Sequence, residues 1–149
     1  MISKNSCQMI CERAKALDDA IERRDIDSVV KAFAEDCTIE MFGLVLKGTA
    51  GVRRWLAWFY DKLASVKLTP ITIMIQGNIF FEEFLVEATL KHGGEVRVKQ
   101  SEVLEYENGK VKSLRLYFDR LELARAVTRD FVSRTLVNRI VALSLKGLQ

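Results

Sequence analysis

The sequence is poor in histidine, proline and cysteine. Of its 149 residues, one is histidine, one is proline and three are cysteine. The single histidine, His92, disfavours a zinc site built from cysteine and histidine. Cys7, Cys11 and Cys37 are an odd set without the spacing of a disulfide framework, so we expect reduced thiols in an intracellular protein. The sequence therefore indicates no metal and no cofactor.

The chain also lacks a dominant charge and a long apolar run. Its formal net charge is only +3. Acidic residues are mixed with the basic ones throughout, whereas nucleic-acid binders concentrate Lys and Arg on one face. No apolar run approaches the ~20 residues of a membrane span, and charged residues near the start interrupt any signal-peptide core. We therefore predict a soluble cytoplasmic protein that binds neither nucleic acid nor membranes.

The spacing of the apolar residues is regular and changes along the chain. Three- and four-residue spacing predicts helices over 8–24 and 48–63. Asp25 or Asp27 is expected to cap a short helix between them. Two-residue alternation predicts a short β pair and then four longer strands. These strands are expected over 37–42, 44–46, 71–75, 79–90, 95–106 and 111–118.

Glycine-containing turns join the last strands. His92-Gly93-Gly94 separates one pair, and Asn108-Gly109 is a strong hairpin signal between the next pair. The order of elements predicts an α+β fold in which a curved antiparallel sheet wraps around the N-terminal helices. Such a sheet forms a cone-shaped pocket suited to a small molecule. We expect a single domain over 1–149.

A C-terminal helical extension follows the last strand. Residues 121–146 are predicted to form one long helix that is apolar on more than one side and must be covered. It could close the mouth of the cone or pack on a partner chain. Asp119 stands three residues before Glu122, as in a capping box, so we expect it to start this helix rather than to act as an active-site acid.

Three strings carry a resemblance to a known family. They are "DIDSVVKAFAEDCTIE" (25–40), "GTAGVRRWLAWFY" (48–60) and "VLEYENGKVKSLRLYFDRLELARAV" (103–127). With the strands between them, they resemble the nuclear transport factor 2-like superfamily over about 9–127. The similar group within it is the SnoaL-like one, with ketosteroid isomerases, polyketide cyclases and limonene epoxide hydrolases. The resemblance implies the cone fold, a small hydrophobic ligand and a homodimer formed through the outer sheet face.

The ketosteroid isomerase-like pattern survives here in one position. Its aspartate general base falls on Met41, and the neighbouring Glu40 should point to the opposite face of the strand. Its tyrosine oxyanion donor falls on Leu17. Its second donor, a protonated acid, falls on Glu102, which keeps a carboxyl group.

The limonene epoxide hydrolase-like pattern also survives only in part. Its two aspartates fall on Glu87 and Leu116, and the arginine that bridges them falls on Leu85. The tyrosine and asparagine that hold its water fall on Ile39 and Met41. The resemblance therefore implies the fold of these enzymes without their complete catalytic set.

Glu102 and Glu87 are the candidate catalytic residues. If Gly93 lies near the hairpin tip, alternation can place both carboxyls on the inner sheet face, where burial would raise their pKa values for general acid–base chemistry. The alternative is that one or both face solvent and pair with a basic neighbour, namely Arg97, Lys99 or Lys112. The expected pocket-lining residues are Leu17, Ile39, Met41, Trp55, Phe59, Leu85, Gln100 and Leu116.

Two functions remain open from the sequence. One is an isomerase, cyclase or hydrolase that acts without a metal on a hydrophobic cyclic substrate by proton transfer through the two glutamates. The other is a non-catalytic ligand-binding or dimerisation module of the same fold. The missing Asp, Tyr and Asn at the familiar positions favour the second, whereas the retained carboxyls favour the first.

Overall fold

The computed structural model describes residues 4–148. Two helices come first, α1 (Lys4–Glu22) and α2 (Ile26–Ala32), followed by β1 (Phe33–Met41), β2 (Leu44–Lys47) and α3 (Gly48–Lys62). Four long strands come next: β3 (Leu63–Gln76), β4 (Ile79–Leu90), β5 (Glu95–Glu107) and β6 (Lys110–Phe118). The chain continues with α4 (Arg120–Val127) and α5 (Phe131–Ser144).

The strands form one curved, unclosed sheet in the order β2-β1-β6-β5-β4-β3. The last four strands are an antiparallel meander, and β1 joins β6 in parallel. The predicted α+β fold with a curved sheet is confirmed, with this one parallel pairing inside it. Asn108 and Gly109 both adopt positive φ angles, 49° and 75°, as the predicted tight turn between β5 and β6 requires.

Two details of the strands differ from the sequence prediction. β3 begins at Leu63, directly after α3, rather than at Ile71. Pro70 therefore lies within this strand, at a register shift between Pro70 and Thr72. Since β3 is an edge strand, the missing N–H of proline leaves no central ladder incomplete.

The C-terminal extension forms two helices instead of the single helix predicted over 121–146. Asp119 caps α4 as expected, because its Oδ1 accepts a hydrogen bond from the N–H of Leu121 at 2.8 Å. Asp130 caps α5 by accepting from the N–H of Ser133 at 2.7 Å. The second cap competes with continuous helix, so the chain leaves the helical conformation at Thr128.

The core has two parts, and the partly buried Phe59, Leu68 and Leu116 pack against both of them. The first joins α1, α2 and α3 to β1 and the ends of β5 and β6, around Phe33, Leu56 and Leu104. The second lies between β3, β4 and β5, around Phe84 and Val98, and is partly covered by α4. No helix in the described part of the chain is long and apolar enough to cross a membrane. The cytoplasmic location stays a prediction.

Candidate functional site

A cavity of about 200 Å³ lies between the inner sheet face, α1, α3 and α4. Its walls are almost entirely apolar. Four polar or charged side chains reach it, from Asp18, Lys62, Gln100 and Glu102. The apolar lining consists of Ile21, Met41, Trp55, Trp58, Phe59, Leu63, Leu68, Phe84, Val86, Ala88, Leu90, Val96, Val98, Leu116, Phe118, Leu123 and Val127.

The helices contribute to the cavity because their apolar spacing brings selected side chains inward. In α3, Trp55 and Phe59 are four residues apart, lie on one helix face and stack with their ring centroids 6.3 Å apart. In α4, Leu123 and Val127 have the same spacing and line the opposite side of the cavity. α4 therefore covers the cavity, which is one of the two roles expected for the C-terminal extension.

Three carboxyl groups lie close together beside this cavity. Asp18 of α1, Glu82 of β4 and Glu102 of β5 each place an oxygen within 4.8 Å of the others. We call these three residues the carboxyl cluster. Asp18 and Glu102 line the cavity, whereas Glu82 lies behind its wall. Glu82 is 2% exposed and Glu102 is 8% exposed, so both are almost fully withdrawn from water.

Strand register explains how two glutamates came together. Glu82 and Glu102 are direct cross-strand partners in the β4–β5 pair. Directly opposite residues project from the same face of an antiparallel sheet, so both carboxyls point inward. On the other side of Glu102, its partner in β6 is the apolar Leu116.

The protein raises the pKa of all three carboxyls. Burial is the largest cause for each, since it disfavours the charged form. It raises the pKa of Glu82 to about 7, and burial with the negative charges of Glu82, Glu22 and Asp19 raises that of Asp18 to about 8. The pKa of Glu102 is raised well above its ordinary value, by burial and then by Asp18 and Glu82.

Among the described residues, no basic side chain forms an ion pair with the cluster. Protons or a cation could therefore balance its charge. The raised pKa values favour protons near neutral pH, and the absence of a metal stays a prediction. The hydroxyl of Tyr106 is buried without a hydrogen-bond partner in the described part of the chain. Its pKa is raised by burial and by the neighbouring Glu102 and Asp18.

The sequence-predicted site residues divide into two groups. Glu102, Met41, Trp55, Phe59, Gln100 and Leu116 line the cavity. Leu17 and Ile39 do not, because both are buried in the first part of the core, behind the cavity wall. Glu40 is exposed on the face of β1 opposite Met41, as expected.

The predicted inward positions of Glu87 and Leu85 are wrong. In β4 the inner face carries Glu82, Phe84 and Val86, and the intervening residues point outward. The side chain of Glu87 is 44% exposed and lies 3.5 Å from Arg97, which is the alternative named from the sequence. The cause is register: a strand shifted by one residue exchanges its two faces.

Asp18 and Glu82 were not among the predicted site residues, although the sequence pattern around each one indicates a polar site. Asp18 interrupts the apolar stripe of α1, since it follows Ala14 by four residues and precedes Ile21 by three. A charged residue on a buried helix stripe is unusual and points to a polar site. Glu82 interrupts the more apolar face of β4 in the same way, between Phe80 and Phe84.

The chain belongs to the SnoaL-like domain family, whose model matches residues 14–114. This match and the structural neighbours confirm the resemblance to the nuclear transport factor 2-like superfamily. No curated protein sequence matches the chain.

Several solved structures share its fold. An NTF2-like protein of unknown function from Burkholderia pseudomallei is 21% identical, with a TM-score of 0.74 over 81% of this chain and 98% of the other. An LEH-like epoxide hydrolase of M. tuberculosis is 17% identical, with a TM-score of 0.68 over 92% and 97%. The epoxide hydrolase/cyclase-like enzyme SalBIII, of pyran ring formation in the polyether salinomycin, is 21% identical, with a TM-score of 0.69 over 77% and 94%.

Proposed function

We propose that this protein is a small-molecule enzyme, an isomerase, cyclase or hydrolase, that transfers protons to and from a hydrophobic cyclic substrate. The observation that carries the proposal is the pair of carboxyls, Asp18 and Glu102, that line an otherwise mostly apolar cavity. An apolar pocket with a few convergent polar groups of perturbed pKa is the usual form of an active site. Asp18, rather than the predicted Glu87, is therefore the second catalytic carboxyl beside Glu102.

The two carboxyls can act as an acid and a base on the same ligand. Glu102 is the acid, because burial and the neighbouring Asp18 and Glu82 raise its pKa well above its ordinary value. Asp18 is the base in its ionised form, which predominates above about pH 8. In an isomerisation, Asp18 would remove a proton from a carbon next to a carbonyl, while Glu102 gives a proton to the carbonyl oxygen. Asp18 then gives its proton to the far carbon of the resulting dienol, and the enol oxygen returns its proton to Glu102, which completes the shift of the double bond.

The same pair can open an epoxide. Asp18 would take a proton from water or from a hydroxyl of the ligand, whose oxygen then forms a new bond to an epoxide carbon. The carbon–oxygen bond of the epoxide breaks, and Glu102 gives its proton to the released oxygen. Attack by water yields a diol, and attack by the ligand's own hydroxyl closes a ring.

The size of the cavity favours a small substrate. A volume of about 200 Å³ lies below the roughly 300–1,000 Å³ of pockets that hold drug-sized ligands. A single ring with a carbonyl or epoxide suits this volume better than a steroid. The walls offer such a ring apolar contacts with Phe59, Phe84 and Val98.

A direct test is a turnover screen with cyclohexene oxide, cyclopentene oxide and cyclohex-3-enone. The wild-type protein is expected to form a diol from the epoxides or a conjugated enone from the ketone, by gas chromatography or absorbance. Binding without turnover across monocyclic epoxides and ketones would favour the second candidate, a ligand-binding module. That candidate draws support from Met41, an uncharged residue where an isomerase would carry its base.

A larger side chain in the cavity is expected to weaken ligand binding. Val98→Phe places a larger side chain among the lining residues, so the affinity for cyclohexene oxide should fall at least about tenfold, which is ~1.4 kcal/mol. Ligand-detected NMR with a folded-state check by circular dichroism measures this effect. Val132→Phe is the matched control, because Val132 is 75% exposed on α5 and lies outside the cavity lining. Equal affinity in both variants would show that the ligand binds elsewhere.

We also propose a homodimer formed through the outer sheet face. The apolar residues on this face support it: Phe81 pairs with both Met74 and Val103 in the sheet register. Tyr117 on β6 is 53% exposed. Sedimentation equilibrium is expected to show a dimer for the wild type and a monomer for Tyr117→Arg. A monomeric wild type at micromolar concentration would contradict the dimer.

A further inference from the structure

Glu82 has no role in direct contact with a ligand, yet it is the most buried charged residue described. It is 2% exposed and lies behind the cavity wall, directly opposite Glu102 in the sheet. In the described part of the chain, no basic side chain and no hydrogen-bond donor is paired with its carboxyl. A lone buried carboxylate would be strongly destabilising, so its position calls for a reason.

The other two carboxyls supply that reason. With their oxygens within 4.8 Å of one another, three ionised groups would repel strongly in a site from which water is excluded. Two carboxyls that share a proton relieve such repulsion, and one of them then titrates well above its ordinary pKa. Interacting groups of this kind lose their protons in steps that belong to the set rather than to single residues.

We propose that Glu82 is a positioning residue that shares protons with Glu102 and Asp18. When Asp18 passes its proton to Glu82 while Glu102 keeps its own, one carboxylate and one carboxylic acid face the ligand. This inference rests on the proposed function of the cavity. Glu82 itself touches neither the ligand nor the reacting atoms.

Proton sharing would also restore the site after each epoxide opening. One proton enters the cluster at Asp18 when it acts as a base, and one leaves from Glu102 when it acts as an acid. The cluster then holds the same number of protons on different oxygens. Transfer from Asp18 to Glu82, and from Glu82 to Glu102, returns it to the starting state without exchange with bulk water.

The charged groups around the cluster agree with retained protons. The negative charges of Asp19 and Glu22 on α1 act on Asp18, and Lys62 reaches the cavity from α3. On β5, Tyr106 is 6% exposed, and its hydroxyl has no hydrogen-bond partner among residues 4–148. This hydroxyl is close enough for all three carboxyls to raise its pKa. Arg13 lowers the pKa of Tyr106, but its guanidinium donates to the carbonyl of Gly109 at 2.6 Å. On β3, the residue opposite Glu82 is the uncharged Ile73.

A titration of carboxyl carbons tests the proposal without any substrate. Protein labelled with ¹³C at Asp and Glu carboxyls is followed by NMR from about pH 4 to about pH 10, a range that spans ordinary and raised carboxyl pKa values. Glu82→Gln removes one negative charge and one proton site, so Asp18 and Glu102 should titrate at least about one pH unit lower than in the wild type. Glu83→Gln is the matched control, since Glu83 points outward and accepts a hydrogen bond from Thr72.

Two results would overturn the proposal. One is an unchanged titration of Asp18 and Glu102 in Glu82→Gln. The other is a wild-type titration that Mg²⁺ or Mn²⁺ at millimolar concentration moves to ordinary pKa values, which would assign the cluster to a cation. If Glu82→Gln does not fold, Asp18→Asn serves instead, and the titrations of Glu82 and Glu102 must then move to lower pH. A protein with coupled carboxyl titrations but no turnover would contradict the proposed function and still support proton sharing by Glu82.

Discussion

Replacing Glu102 with glutamine is expected to lower kcat by about 10²- to 10⁴-fold, the usual contribution of a positioned general acid. Glutamine keeps the size of the side chain and can donate a hydrogen bond, but it cannot give up a proton. Since glutamine keeps the size and the hydrogen-bonding capacity of this cavity-lining side chain, KM should change little. The measurement is a full kinetic analysis with whichever of the monocyclic epoxides or ketones the wild type converts.

Glu87→Gln is the matched control for this experiment. Glu87 lies on the opposite sheet face, where it pairs with Arg97 in solvent. An exposed pair of this kind contributes about 0–1 kcal/mol to stability, so both kcat and KM should stay at wild-type values. Unchanged turnover in Glu102→Gln, or equal losses in the two variants, would remove Glu102 from the catalytic set.

The second large effect is a fall in stability as the pH rises. The folded protein holds protons on Asp18 and Glu82 up to about pH 8 and pH 7, whereas the unfolded chain releases them near 3.8 and 4.5. Between these limits the native state binds more protons than the unfolded state. The free energy of unfolding should then decrease by ~1.4 kcal/mol per pH unit for each such group. Urea unfolding at pH 5, 6, 7 and 8 measures this slope.

Other carboxyls do not mask the effect in this range. The pKa values of Asp25, Asp36 and Asp130 are lowered by their hydrogen-bond partners, so their contributions are lost only as the pH falls below about 4. Asp18→Asn should flatten the slope above pH 5 by ~1.4 kcal/mol per unit. The exposed Asp61 of α3, which is not among the charges that act on Asp18, gives the control variant Asp61→Asn, which should keep the wild-type slope. A stability that is flat or rises from pH 5 to pH 8 would contradict raised pKa values in the folded state.

The sequence predicted the helices of the site better than its strands. The face of α3 that bears Trp55 and Phe59 was identified correctly, because a helix of this length repeats its apolar spacing several times. The position of α4 over the cavity was one of two options, since the apolar residues of the extension do not say which surface they cover. The break at Thr128 depends on the cap that Asp130 provides for α5, and the spacing of apolar residues did not reveal this cap.

The register of β4 is where sequence reasoning failed. This strand has apolar residues on both faces, such as Phe81 and Leu85 outside and Phe84 inside, so alternation distinguishes its faces only weakly. The connection from Lys91 to Gly94 could close the hairpin in more than one register. A register error of one residue put Glu87 on the inner face of β4 in place of Glu82. The second candidate catalytic carboxyl was therefore assigned to Glu87 instead of Asp18 of α1. The tertiary contact between α1 and the sheet, which brings Asp18 to Glu102, has no local signature.

The central claim is that the carboxyl cluster keeps protons at neutral pH. The most direct measurement is the number of protons released when the protein unfolds at pH 7, obtained by calorimetry in phosphate and in Tris, whose heats of ionisation differ. The pKa of about 8 for Asp18 and the strongly raised pKa of Glu102 predict the release of at least one proton per chain. Unfolding with no proton release would show that all three carboxyls are already ionised in the folded protein, and would contradict the acid–base account of this site.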